Sequence, residues 1–235
     1  MFVVPKKDGV TLRMVHNLQR LNSHVIKDGG LPPMVELFAE AFGGRACLSM
    51  CDLLIAFDQR KLAVESRDLT TFHTPLGTFC LISIPMGYTN SMQIQQGDIT
   101  FLLQDEILDV TIPFIDDVPI KGPKSRYELP NGGYKTIPEN PGIRRFVWEH
   151  LFDVNRIVQC IEHVGGTFSR LKSHICVPEA IVVGHRCTYK GRIPDSSRVQ
   201  KILDWPVPVD TSGIQGFLGI MGTIHIFIDH FAVHA

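Results

Sequence analysis

The chain is predicted to be an α+β protein, and three observations predict it. Apolar residues recur at helical spacing over residues 34–42, 91–108 and 144–164. Short runs of β-favouring residues lie between these segments, bounded by Gly, Pro and Asp turns. Several of those runs come as close pairs joined by a turn, which suits helices segregated against a mostly antiparallel sheet. With 235 residues, 44% hydrophobic and 20% charged, the chain can bury a sizeable core in one large domain or two small ones.

Taken in order, Phe2-Val3-Val4, a turn at Lys6-Lys7-Asp8-Gly9 and Thr11 to Val15 read as strand, turn, strand. Residues 28–34 form a loop, and Met34 to Phe42 a helix closed by Gly43-Gly44. The apolar stretch Ala46–Cys51 predicts a strand ending at Asp52. Residues 69–84 carry β-favouring side chains around a Pro75-Leu76-Gly77 turn, and Ser91 to Leu108 reads as one long helix. A hairpin follows, Thr111 to Ile120, with Pro113 and Pro119 predicting an edge or distorted pairing. Residues 121–142, rich in Lys, Gly, Pro, Asn and Tyr, read as a surface insertion. From Arg144 to Val164, Phe146, Leu151, Val154, Ile157, Val158 and Ile161 follow the helical period until Gly165-Gly166. Thr167–Ser169 and Ile175–Val177 predict a β pair, with Ile181–His185 after it. Beyond Asp195 the chain turns helical, breaks at Trp205-Pro206-Val207-Pro208 and restarts after the Asp210-Thr211 cap.

A net charge of −1 argues against clinging to nucleic acid by charge alone, while leaving room for a cleft with basic walls. The first residues lack a signal-peptide core, and no run reaches the ~18 apolar residues of a membrane span, so an intracellular protein without a membrane partner is expected. The six cysteines show no Cys-x-x-Cys spacing and are expected to be reduced. Cys160, His163, His174, Cys176, His185 and Cys187 are numerous enough for zinc but not in a recognised spacing, which makes a zinc-dependent nucleic-acid-binding module a rival reading.

The chemistry concentrates on aspartates. Asp116 and Asp117 interrupt an apolar run at the tip of the hairpin, and Asp52 ends a second apolar stretch. Adjacent like charges raise each other's pKa unless a cation lies between them, so the pattern asks for a divalent metal. Taken alone, an Asp-Asp pair is equally an acidic surface turn.

Motif order adds a resemblance. Phe2–Val15, ending at Leu21-Asn22, resembles the fingers motif of retroelement reverse transcriptases. Leu48–Leu53 with Phe57 and Gln59 resembles the first palm motif, and Pro85–Ser91 the motif before the palm helix. Phe114-Ile115-Asp116-Asp117 resembles the catalytic hairpin and Val183-Gly184-His185 the primer-grip turn. Asp204–Pro208 and Gly216–Gly219 resemble the thumb and following segment of gypsy-type long-terminal-repeat retrotransposons, and the insertion after Asp117 resembles versions in fungal elements. The chain departs from the pattern at Asn17-Leu18-Gln19, at Gln95 and at Thr223-Ile224-His225.

The resemblance implies a right-handed polymerase: 1–27 partial fingers, 28–59 palm, 60–86 fingers again, 87–187 palm with the 121–142 insertion, and 188–235 thumb and start of the connection. It implies an RNA-directed DNA polymerase acting by a two-metal mechanism, with Asp52, Asp116 and Asp117 holding two Mg2+ or Mn2+ ions and Lys172 protonating the leaving pyrophosphate. Lys6 and Arg13 would reach the triphosphate of the incoming dNTP, Phe57 would gate against a ribose 2′-hydroxyl, and Gln59, Gly87 and Asn90 would line the substrate. Expected partners are an RNA or DNA template with its primer and the ribonuclease H and integrase modules of a parent polyprotein. The expected location is a cytoplasmic particle, the nucleus or both. Upstream fingers strands are expected to be missing, with Met1 a start inside a longer polyprotein. The alternative is a decayed or repurposed remnant that folds without copying nucleic acid.

Overall fold

A computed structural model describes residues 2–5, 9–30 and 35–234. Strands β1 (Phe2–Pro5) and β2 (Leu12–Val15) pair antiparallel, Phe2 opposite Val15, as the strand–turn–strand reading predicts. The turn between them, at Lys6–Asp8, lies outside the described residues. Helix α1 (Gln19–Asn22) is a single turn whose Gln19 N–H donates to Asn17 Oδ1 at 3.1 Å. Helix α2 (Val35–Phe42) stops at Gly43-Gly44, where Gly44 takes φ +73°, a conformation open to a residue without Cβ. Strand β3 (Leu48–Asp52) follows, then the short helices α3 (Ala56–Gln59) and α4 (Val64–Arg67). The hairpin of β4 (Phe72–Thr74) and β5 (Gly77–Phe79) turns at Pro75-Leu76. Helix α5 (Ser91–Leu102) precedes strand β6 (Asp117–Lys121). The chain continues through β7 (Thr136–Ile137), β8 (Asn140–Arg144) and the long helix α6 (Arg145–His163). Strands β9 (His174–Val177), β10 (Glu179–Val182), β11 (His185–Thr188) and β12 (Gly191–Pro194) lead to helices α7 (Ser196–Leu203) and α8 (Thr211–Gly222). Asp210 caps α8, its Oδ1 accepting from Gly213 N–H at 2.7 Å.

Three expectations are corrected. The helix from Ser91 ends at Leu102 rather than Leu108, because the chain turns at 103–106 and Leu108 adopts φ +74°. Thr167–Ser169 does not pair with 175–177. Phe168 instead bridges Leu53, and Leu54 N–H donates to Thr167 O at 2.8 Å. The 121–142 segment is more than a surface insertion, since it contributes β7 and β8, and Tyr127 and Tyr134 pack on the buried Ala46, Cys47 and Phe146. The expected irregularity at Pro113 and Pro119 is observed. Ahead of the turn only isolated bridges form, Thr111 with Ile120 and Phe114 with Asp117.

The chain divides into two compact units. The first comprises Met1–Pro33, Met50–Ile120 and Val154–Ser173. Its core gathers Cys51, Leu53, Ile99, Leu103, Val118, Ile120, Ile157 and Ile161, with Val118, Ile120 and Ile157 wholly buried. Each fully buried aliphatic side chain of this kind contributes about 1.5–3 kcal/mol.

The second unit comprises Met34–Ser49, Lys121–Asp153 and His174–Ala235. Here β10, β11 and β12 form an antiparallel meander, with α2 packed on β11 and β12. Ser49 and His150 are both buried, their side chains 2.6 Å apart. His150 Nδ1 faces Lys121 O at 3.3 Å, so Nδ1 carries the proton and Nε2 accepts from the Ser49 hydroxyl. Ser49 Oγ in turn accepts from Cys176 N–H at 2.9 Å, and burial holds the His150 pKa below its ordinary value. Cys47 and Cys176 share a thiol hydrogen bond that pushes Cys47 up and draws Cys176 down to about 7, while Cys187 is buried and donates to Ala39 O at 3.5 Å.

Candidate active site

Strand β3 is buried along most of its length and delivers Asp52 at its end, 8% exposed. Backbone hydrogen bonds fix what surrounds it. Leu53 N–H donates to Asp116 O at 2.8 Å, and Ser169 N–H donates to Asp52 O at 2.7 Å. The Phe114–Asp117 turn is closed in both directions, Phe114 N–H to Asp117 O at 2.8 Å and Asp117 N–H to Phe114 O at 2.9 Å. Ile115 and Asp116 therefore form the tip, and the buried Val118 and Ile120 anchor the strand that leaves it. This places the end of β3 beside the acid-bearing turn through main-chain geometry alone.

Electrostatics register that convergence. Burial, then the neighbouring Asp116 carboxylate, then Asp52, push the Asp117 carboxyl up to about 6, with Lys172 opposing them. Lys172 Nζ lies 3.0 Å from each oxygen of Asp52, the lysine side chain 65% exposed and the aspartate 12%. The first unit also contains a cavity of about 460 Å³, lined by Leu53, Gln59, Arg60, Gln95 and Ile99 among others, but none of the three aspartates is on its wall. The acids are thus picked out by the backbone that brings them together, not by a cavity.

The three acids offer carboxylate oxygens, the donor type that a hard divalent cation prefers. Among the described residues, no group of three His, Cys, Asp or Glu side chains is already gathered closely enough to cage a metal. Such an ion would need additional oxygen ligands from water or phosphate, as magnesium commonly does.

The remaining sequence candidates are dispersed. Lys6 lies outside the described residues. Arg13 stands on β2 opposite Val4, its side chain outside them as well. Phe57, on α3, is half-buried. Gln59 is a strap: its amide donates to Leu54 O and, at 3.0 Å, to Thr167 O, while its oxygen accepts from Thr167 N–H at 2.9 Å. Asn90 does similar work, donating to Ile26 O at 2.9 Å and accepting from Asp28 N–H at 3.1 Å. Gly87 adopts φ +93°, and its carbonyl accepts from Asn22 Nδ2 at 2.9 Å. Sequence reasoning does not single out Gln96, whose side chain bonds Pro113 O and Ile115 N–H on the incoming side of the acid-bearing turn. Nothing in a run of three glutamines within four residues distinguishes the one that bonds the turn.

No family model matches the chain. Its homologues are retrotransposon Pol polyproteins. It is 24% identical over 242 residues to the retrovirus-related Pol polyprotein from transposon 412 of Drosophila melanogaster, covering 99% of this chain and 17% of the relative. Identity to the corresponding polyprotein from transposon gypsy of the same organism is 22%, covering 95% and 19%. For the transposon Tf2-3 polyprotein of Schizosaccharomyces pombe it is 23%, covering 96% and 15%. The chain thus spans less than a fifth of the length of these three relatives. Among solved structures, a foamy viral protease-reverse transcriptase in complex with double-stranded DNA superposes with a TM-score of 0.79 at 22% identity, covering 98% of this chain and 36% of that one. A second, in complex with an RNA/DNA hybrid, gives 0.68 at 21%, covering 94% and 26%. The fold is that of a reverse transcriptase, an α+β polymerase fold.

Proposed function

We propose that the chain is the fingers, palm and thumb portion of an RNA-directed DNA polymerase, joining a primer 3′-hydroxyl to a deoxynucleoside triphosphate on an RNA or DNA template and releasing pyrophosphate. The observation that carries this reading is the main-chain geometry that sets the buried end of β3, bearing Asp52, beside the Phe114–Asp117 turn, with Leu53 N–H donating to Asp116 O at 2.8 Å. Relatives named as Pol polyproteins over nearly the whole chain, and structural neighbours bound to DNA and to an RNA/DNA hybrid, support it.

In this reading Asp52, Asp116 and Asp117 hold two Mg2+ or Mn2+ ions. When bound, such ions lower the pKa of the attacking hydroxyl and neutralise developing charge on the phosphates. The aspartates supply fixed, partly desolvated oxygens, so the site is organised before the substrate arrives. Lys172 is stationed on Asp52 and is proposed to hold the proton that the leaving pyrophosphate takes. Lys6 and Arg13 are proposed to bind the triphosphate, where a guanidinium engages phosphate oxygens as a fork. Phe57 is proposed to exclude a 2′-hydroxyl. Gly87 gives the backbone a close approach to the nucleotide, and Gln59 and Asn90 act by bracing the loops around it.

The subdivision proposed is 1–27 and 60–86 as fingers, 28–59 and 87–187 as palm, and 188–235 as thumb and the start of the connection. Ribonuclease H and integrase modules are proposed neighbours in a longer polyprotein working inside the cell. Primer extension by the 235-residue chain, on RNA and DNA templates with Mg2+ or Mn2+, tests the proposal. Template-directed product is expected. Folded protein that binds primer–template yet makes no product with either metal would leave the decayed-remnant reading in its place.

A further inference from the structure

The turn that carries the acids is held in an unfavoured conformation. Ile115 is β-branched yet adopts φ +57°, a left-handed region that such residues rarely enter. Pro113, two residues earlier, has no N–H to give a ladder, so this arm of the hairpin forms only isolated bridges. The two hydrogen bonds between Phe114 and Asp117 close the turn, but they leave Pro113 O and Ile115 N–H to find partners elsewhere.

Both find the same side chain. Gln96 Oε1 accepts from Ile115 N–H at 2.8 Å, and Gln96 Nε2 donates to Pro113 O at 3.1 Å. The same Nε2 lies 3.1 Å from Thr100 Oγ1, one helical turn along, which orients the amide. Gln96 sits on α5, whose Ile99 belongs to the buried cluster that also holds Val118 and Ile120. One carboxamide therefore ties a core-anchored helix to the residues on either side of Phe114, immediately before Asp116.

We infer that Gln96 is a positioning residue: it keeps Ile115 in its left-handed conformation and so aims the Asp116 and Asp117 carboxylates. This rests on the reading of those aspartates as the metal-holding acids. Gln96 touches no reacting group itself. A side chain of equal length without the amide, as in Gln96→Met, removes both hydrogen bonds and conserves volume. Glycine adopts positive φ at no steric cost, so Ile115→Gly removes the need for the clamp.

The experiment uses the 235-residue chain and measures Mn2+ affinity by electron paramagnetic resonance beside single-turnover primer extension. Gln96→Met is expected to weaken Mn2+ binding roughly tenfold and to lower kcat by about 10- to 100-fold, with the nucleotide KM changed less than about twofold. Adding Ile115→Gly to Gln96→Met is expected to restore most of the Mn2+ affinity. Unchanged Mn2+ affinity and kcat in Gln96→Met, alongside their loss in Asp116→Asn, would overturn the inference and leave the acid site standing. If Gln96→Met only lowers the melting temperature and Ile115→Gly restores nothing, Gln96 is ordinary packing and the inference also falls. Full Mn2+ affinity and extension in Asp116→Asn would overturn the assignment of the acids, and this inference with it.

Discussion

Ser49 and Asp52 lie three residues apart on β3, both buried, and the fold treats them oppositely. Ser49 has its hydrogen-bonding demands met: it donates to His150, accepts from Cys176 N–H, and His150 in turn donates its Nδ1–H to Lys121 O. Asp52 ends the same strand among like charges, with one exposed lysine as counterion. A closed network such as that of Ser49 lowers the free energy of the fold and has nothing left to offer a ligand. An unbalanced set of carboxylates does the reverse, and its deficit defines what it can bind. Burial of polar groups is therefore a poor guide to function unless the satisfaction of each group is also counted.

The largest expected effect comes at the unbalanced end. Asp116→Asn keeps the side-chain shape, removes one ligand charge and relieves Asp117, so extension should fall roughly 10³-fold or more with no loss of folding stability. Retained extension in the folded variant would erase the contrast between the two ends. Phe57→Ala should come next, cutting discrimination against ribonucleotides by about 10- to 100-fold in a mixed-nucleotide extension assay. Its half-buried ring predicts a stability cost below the ~3–5 kcal/mol of a fully buried Phe; a cost that large with unaltered sugar choice would return Phe57 to the core.

At the satisfied end, Ser49→Ala strands His150 Nε2 and Cys176 N–H and should cost about 1–3 kcal/mol in denaturant unfolding. Mn2+ affinity should stay at the parent value. A parallel loss of affinity would mean that Ser49 also serves the acids.

The smallest effect is a pH slope. The folded Asp117 carboxyl titrates near 6, above its ordinary 3.8, so between those values the folded state holds a proton that the unfolded state has released. Stability from this group is present at low pH and is lost as pH rises through about 6. Asp116→Asn should flatten the slope, and so should saturating Mg2+. A metal-free protein whose stability instead climbs between pH 4 and 6, with Asp116→Asn leaving the climb unchanged, would show that Asp117 feels no such crowding.

Much of this was legible in the sequence because it is local. The helical period from Arg144 to Val164, the Gly165-Gly166 stop, the Asp210 cap and the Asp-Asp turn each depend on residues within a few positions. What the sequence hides is pairing across distance. Phe168 bridges Leu53 instead of the nearby 175–177, because it is the end of β3 that presents free backbone groups to it. Tyr127 and Tyr134 look like surface residues in an irregular stretch, yet they close the second unit's small core. The aspartates could be named from motif order, but Lys172 seated on Asp52 and Gln96 gripping the turn are contacts that no local pattern encodes.

The seat of Lys172 on Asp52 has one more consequence. Small metal-dependent domains often cannot fold until their ion arrives, since their ligands repel one another in its absence. Here a tethered ammonium already stands at the most buried of the three acids, so the strand end can mature in ion-poor surroundings. On the proposed assignment of the acids, loading would exchange one cation for another and stay separate from assembly. Chelation should then silence the chain without unravelling it.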